Sequence, residues 1–194
     1  MIKLFKGKVK DHSDIARPHT IGKSVQDRDL VAVQITDNIG VNGGLEPGKP
    51  MFKYVGNIHG TDAIGRQILI NLIEYILISY GENERVTKLL DKTNIFILPT
   101  MNPDGFHKVK EGDCDELRGD LNANVVDLDQ NFPGQYSEII SSIESETRAI
   151  MDWIAENEFV LSANFQDVHV VARFPFFCPG WPCGRSLPVF LFSF

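Results

Sequence analysis

Short apolar runs alternate with helical patterns along most of this chain, and this alternation limits the fold more than any other feature. Four runs have the length and apolar content of strands: Asp29–Thr36, Phe52–Ile58, Asn94–Pro99 and Phe159–Phe165. Strands that are separated by helical crossovers belong to α/β domains, in which helices cover a largely parallel sheet. We therefore predict that these four strands share one sheet inside an α/β sandwich.

Helical periodicity predicts the elements between the strands. Between Asp62 and Tyr80, isoleucine and leucine recur at helical spacing, which predicts a mostly buried helix. A short amphipathic helix is expected at 82–93, and a further helix near Glu138–Asn157. The sequence Asn-Pro-Asp-Gly at 102–105 predicts a turn, followed by a long polar loop to about Gln135.

Composition limits the class of protein. A chain of 194 residues with 43% hydrophobic content is long enough for one well-buried domain. The net charge of -7 provides no positive field for nucleic acid, so we expect no nucleic-acid partner. Three cysteines are too few for a disulfide framework. No signal peptide is visible at the N-terminus.

The last apolar run of the sequence is Leu-Pro-Val-Phe-Leu-Phe-Ser-Phe, at 187–194. A transmembrane helix needs ~20 apolar residues, so we expect no membrane span here. The run is either a buried strand or an exposed segment that is prone to aggregation.

Polar side chains follow three of the predicted strands. They are His59 and Asp62, the turn at 102–105, and Asn164 with Gln166. Parallel sheets bind ligands at the carboxyl ends of their strands, so these groups predict a site. A histidine three residues before a carboxylate can reach one zinc ion together with it. The alternative is a loop histidine whose hydrogen bonds are satisfied by the backbone.

Several blocks of sequence resemble the zinc metallocarboxypeptidases. They are IGKSVQDRDLVAVQITD, EPGKPMFKYVGNIHG, NPDGF, NANVVDLDQNFP and FVLSAN, in the family's order and approximate spacing. The most similar subgroup is the regulatory carboxypeptidases D, E, M and N, and the resemblance covers roughly Asp14 to Phe176. It implies a three-layer α/β/α sandwich with a mixed central sheet. It also implies a reaction in which zinc-bound water removes the last residue, typically Lys or Arg, from a peptide or protein C-terminus.

The resemblance assigns three metal positions. Where the family reads His-Gly-Asn-Glu, this chain reads His-Gly-Thr-Asp, so His59 matches and Asp62 replaces the glutamate. The family's third ligand is a histidine, and Gln166 stands in its position. Aspartate is one methylene shorter than glutamate, and an amide oxygen is a weaker zinc donor than imidazole. We expect zinc to bind weakly or not at all. His169 falls outside the ligand positions.

The substrate positions are also substituted. The family motif reads Gly-Arg and then Asn-Ala-Asn-Gly-Val-Asp-Leu-Asn-Arg-Asn-Phe-Pro. Its first arginine polarises the scissile carbonyl, and its Asn-Arg pair holds the substrate's terminal carboxylate. Asp120, Asp129 and Gln130 occupy these three positions here. Arg118 lies two residues from the first of them and is a candidate substitute.

The resemblance divides the chain at its C-terminal end. Residues 1–176 correspond to the N-terminal part of a metallocarboxypeptidase catalytic domain, and we expect 177–194 to be a non-homologous tail in which no general-base glutamate is identified. The sequence leaves three hypotheses open: a zinc carboxypeptidase with unusual ligands, a non-catalytic domain that binds peptides or proteins, and an incomplete product without independent function. The family is secreted or enters the secretory pathway. The sequence does not predict an oligomeric state.

Overall fold

One mixed sheet forms the centre of the molecule. The computed structural model describes residue 9 and residues 11–44, 46–109, 119–133 and 142–166, together with the backbone of residues 189–193. Within this part of the chain, six strands form one sheet in the order β1-β2-β4-β3-β5-β6. The strands are Ala16–Lys23 (β1), Asp29–Ile35 (β2), Met51–Gly56 (β3), Asn94–Leu98 (β4), Phe159–Gln166 (β5) and Val189–Ser193 (β6). β1, β2 and β4 pair antiparallel, whereas β4, β3, β5 and β6 pair parallel.

Helices cover both faces of the sheet. They are Ala63–Ser79 (α1), Glu84–Lys92 (α2), Pro103–Lys108 (α3) and Ser145–Glu156 (α4), and a short 3-10 turn lies at Asn42–Gly44. α1 and α2 bury apolar side chains against one face, and α4 buries its own against the other. The predicted α/β/α sandwich with a mixed, largely parallel sheet is therefore confirmed. None of the helices in the described ranges is long and apolar enough to cross a membrane.

Each face of the sheet has its own apolar core. On the first face, Leu69 and Ile73 of α1 and Leu90 of α2 pack with Ile35 and Ile97 of the sheet. On the second face, three aromatic rings meet edge to face: Phe96, Trp153 and Phe159. Their ring centroids lie 5.0 to 6.1 Å apart, which is the preferred range for aromatic pairs.

All four predicted strands lie in this one sheet, and their ends agree with the prediction to within two residues. The predicted helix Asp62–Tyr80 is α1, and the predicted amphipathic helix at 82–93 is α2. Sequence analysis missed β1. This strand lies at the edge of the sheet, is buried only at Ala16 and contains Pro18, so it lacks an apolar pattern.

Two predicted elements differ in the structure. The helix that was expected near Glu138–Asn157 begins at Ser145: residues 142–144 are not helical, and 138–141 lie outside the described residues. The predicted turn at 102–105 opens the short helix α3. The Asn102 side chain accepts a hydrogen bond from the Gly105 backbone N–H at 2.8 Å, and Pro103 occupies the first helical turn. Turns and helix starts favour the same residue types, so the sequence did not separate them.

The last apolar run contains β6, which pairs parallel with β5 from Ser162↔Val189 to Gln166↔Ser193. The backbone of this run forms a strand, and the burial that would separate its two alternatives lies outside what the structure describes. The division of the chain at residue 176 remains a prediction.

Candidate active site

Three backbone segments meet at the carboxyl end of β3. A Cβ atom on Gly60 would lie 2.1 Å from the Gly119 carbonyl oxygen and 2.3 Å from the Gly105 carbonyl carbon. Only glycine permits this approach. The loop after β3, the start of α3 and the segment from Gly119 are therefore in backbone contact, and they hold the predicted site residues close to one another.

His59 lies between two carboxylates. Its Nδ1 is 3.8 Å from Asp62 Oδ2, and its Nε2 is 3.2 Å from Asp127 Oδ1. The Asp62 side chain is fully buried, whereas 19% of the His59 side chain is exposed. The His59 backbone N–H also donates to Asp62 Oδ2 at 3.0 Å. The short Asp62 side chain is thus bound to the backbone of its own loop.

Asp127 connects the remaining predicted residues. Its Oδ2 accepts a hydrogen bond from Gln130 Nε2 at 2.8 Å, and its Oδ1 accepts one from the Asp129 backbone N–H at 3.0 Å. Gln166 Nε2 donates to Asp129 Oδ1 at 3.4 Å. His59, Asp129, Gln130 and Gln166 therefore belong to one network. Sequence analysis did not single out Asp127; the signal was its match to the aspartate of the family motif.

Asp120 contacts the His59 loop from another segment. The Thr61 hydroxyl donates to Asp120 Oδ1, and Asn102 Nδ2 donates to the Asp120 carbonyl oxygen at 3.1 Å. Thr61 was not predicted either. Asp120 and Thr61 both differ from the family motif, and their side chains bind one another.

Asp104 of the Asn-Pro-Asp-Gly segment fixes the position of helix α3 beside the site. Asp104 is 1% exposed and accepts hydrogen bonds from Ser24 Oγ at 2.8 Å and from the Gln26 backbone N–H at 2.9 Å. Arg28 forms an ion pair with the same carboxylate. Asp104 therefore joins α3 to the β1–β2 hairpin.

Asn164 lies on β5 opposite Val55, two residues before Gln166. Arg118 and His169 lie outside the described residues.

Comparison with known proteins gives the family. A profile described as "Zinc carboxypeptidase" matches residues 1–178. Human carboxypeptidase D is 43% identical over 166 residues, which are 86% of this chain and 12% of that protein. Mouse carboxypeptidase M is 39% identical over 178 residues, which are 89% of this chain and 38% of that protein.

The chain belongs to the zinc carboxypeptidase family. Solved structures agree on the fold. Carboxypeptidase A from Helicoverpa armigera superposes with a TM-score of 0.68 at 21% identity, covering 86% of this chain and 44% of that one. Thrombin-activatable fibrinolysis inhibitor superposes with a TM-score of 0.71 at 16% identity, covering 95% of this chain and 49% of that one. The chain thus spans less than half the length of these relatives.

The residues of the site can be compared with the ligands that the zinc ion of this family requires. Two ligands of a tetrahedral zinc ion lie ~3.4 Å apart, and His59 Nδ1 and Asp62 Oδ2 are close to this separation. The hydrogen bond from the second ring nitrogen to Asp127 is typical of a zinc-binding histidine. However, no group of three His, Cys, Asp or Glu side chains within the described ranges could hold a metal ion. The Gln166 amide, which was predicted as the third donor, donates through its nitrogen to Asp129 Oδ1 at 3.4 Å. Among the described residues, His59 and Asp62 are the two that stand in the family's His and carboxylate positions, and they do not fit a three-ligand catalytic zinc.

Asp127 directly follows a turn in which one residue has an unfavourable backbone conformation. The Asn122 side-chain oxygen accepts hydrogen bonds from the backbone N–H groups of Asn124 and Val126, each at 3.0 Å. Val125, between them, has a φ of 64°. The family motif has glycine at this position, because a left-handed backbone favours a residue without Cβ.

Among the described residues of the site, Asp62 and Asp127 flank the His59 ring, Asp127 and Asp129 accept hydrogen bonds from Gln130 and Gln166, and Asp120 accepts one from Thr61. Such a group favours cations and basic side chains and repels a carboxylate.

Proposed function

We propose that this chain is a zinc carboxypeptidase-family domain that does not release C-terminal residues, and that its altered cleft binds basic segments. The observation that carries the proposal is the hydrogen bonding of the substituted positions. Asp120, Asp129 and Gln130 bind Thr61, Gln166 and Asp127. Their side chains are held by neighbours of this same chain.

Loss of the carboxylate clamp supports the absence of turnover. By resemblance, Asp129 and Gln130 stand where an Asn-Arg pair holds the terminal carboxylate of the substrate. A carboxylate that approaches Asp129 meets a like charge, which costs several kcal/mol in a cleft. Positioning of a substrate can supply ~7 kcal/mol of the barrier, so the loss is large.

Loss of the carbonyl-polarising arginine supports the same conclusion. Asp120 stands in its position, so the oxyanion that develops during hydrolysis would meet a negative charge in place of a donor. Removal of one oxyanion donor alone costs about 10²- to 10³-fold in rate. His59 and Asp62 are the two residues that would hold a weakly bound zinc ion, without the third ligand of a catalytic site.

We expect weak zinc binding. In calorimetric titrations, Zn²⁺ should bind this chain roughly tenfold or more weakly than it binds the double variant Asp62→Glu/Gln166→His, which restores the family's three ligands. His59→Ala should remove the residual binding. Tight binding that survives His59→Ala would show that the metal site lies elsewhere.

The acidic side chains favour a basic partner. The described site carries the carboxylates of Asp120, Asp127 and Asp129, and the chain carries a net charge of -7, which favours lysine- or arginine-rich segments of peptides or proteins. The test is fluorescence anisotropy with a labelled lysine-rich peptide, either amidated or with a free C-terminus. We expect the amidated form to bind at least as well, and Asp120→Asn/Asp129→Asn to weaken binding about tenfold. Preference for the free carboxylate would contradict this ligand assignment.

A further inference from the structure

We draw no further inference here: the strongest candidate, the mostly apolar cavity of about 400 Å³ between α1 and α2 that is lined in part by Tyr75, Leu89 and Arg85, carries none because nothing in the described part of the chain shows what covers it.

Discussion

Val125 has a backbone conformation that disfavours its side chain. A φ of 64° brings the Cβ of an L-residue close to the following carbonyl oxygen, which costs roughly 1–2 kcal/mol. The side chain is 71% exposed, so burial does not compensate for this cost. The turn persists because Asn122 binds the backbone on both sides of Val125.

Val125→Gly should therefore stabilise the fold. We expect the free energy of unfolding to rise by about 1 kcal/mol, since relief of the Cβ contact exceeds the entropic cost of glycine. Chemical denaturation measures this change. Val125→Ala, which keeps the Cβ atom, is the control and should gain less. A destabilised glycine variant would mean that the valine side chain stabilises the turn.

At the level of strands, a buried lysine of β3 contacts β5. Lys53 is 3% exposed and donates to Ser162, its neighbour across the strands, at 2.7 Å. Its ammonium group lies 6.0 Å from the centre of the Phe159 ring. Burial lowers the pKa of Lys53 to about 8. The charged form is thus penalised in the folded state.

This penalty has a defined pH dependence. Below the folded pKa of about 8, the lysine is charged in both states and the full penalty applies. Between about 8 and the unfolded value of 10.5, folding releases a proton, so stability rises with pH as the penalty is lost. Lys53→Met should raise the free energy of unfolding by about 3 kcal/mol at pH 7.

The advantage of Lys53→Met over the parent chain should shrink as the pH rises from about 8 to 10.5. Denaturation across this pH range measures it. Lys88→Met is the control: Lys88 is exposed, and its loss should change stability by about 0.5 kcal/mol or less at every pH. An advantage of Lys53→Met that stays constant with pH would mean that packing, and not charge burial, produces it.

The junction of the three site segments depends on Gly60. Gly60→Ala should lower the free energy of unfolding by about 2 kcal/mol, because the added Cβ would overlap the backbone of Gly105 and Gly119. The control is Gly40→Ala, where the added Cβ meets no atom within 4 Å. Equal thermal stability of the two variants would contradict the close approach of these segments.

For the whole molecule, the sequence predicted the centre of the fold better than its periphery. β3, β4 and β5 lie inside a sheet covered by helices, so they read as apolar runs. The edge strand β1 carries polar residues and Pro18 and gives no such pattern.

The contacts of the candidate site were also only partly predictable from the sequence. His59 and Asp62 are neighbours in one short loop, so their spacing indicated a contact. The contacts of Asp127 with His59 and of Thr61 with Asp120 join residues that are 68 and 59 positions apart. Irregular loops have no hydrophobic period from which such contacts could be predicted, and backbone contacts at Gly60 bring them about.

The central claim is that this family member does not release C-terminal residues. The direct measurement is mass spectrometry of short peptides that end in Lys or Arg, incubated with this chain in added Zn²⁺, beside an active zinc carboxypeptidase as control. We expect no release above the protein-free blank, because by the family resemblance Asp120 stands in the position of the carbonyl-polarising arginine, and Asp129 and Gln130 in those of the carboxylate clamp. Release of the terminal residue that a chelator abolishes and Zn²⁺ restores would contradict the account.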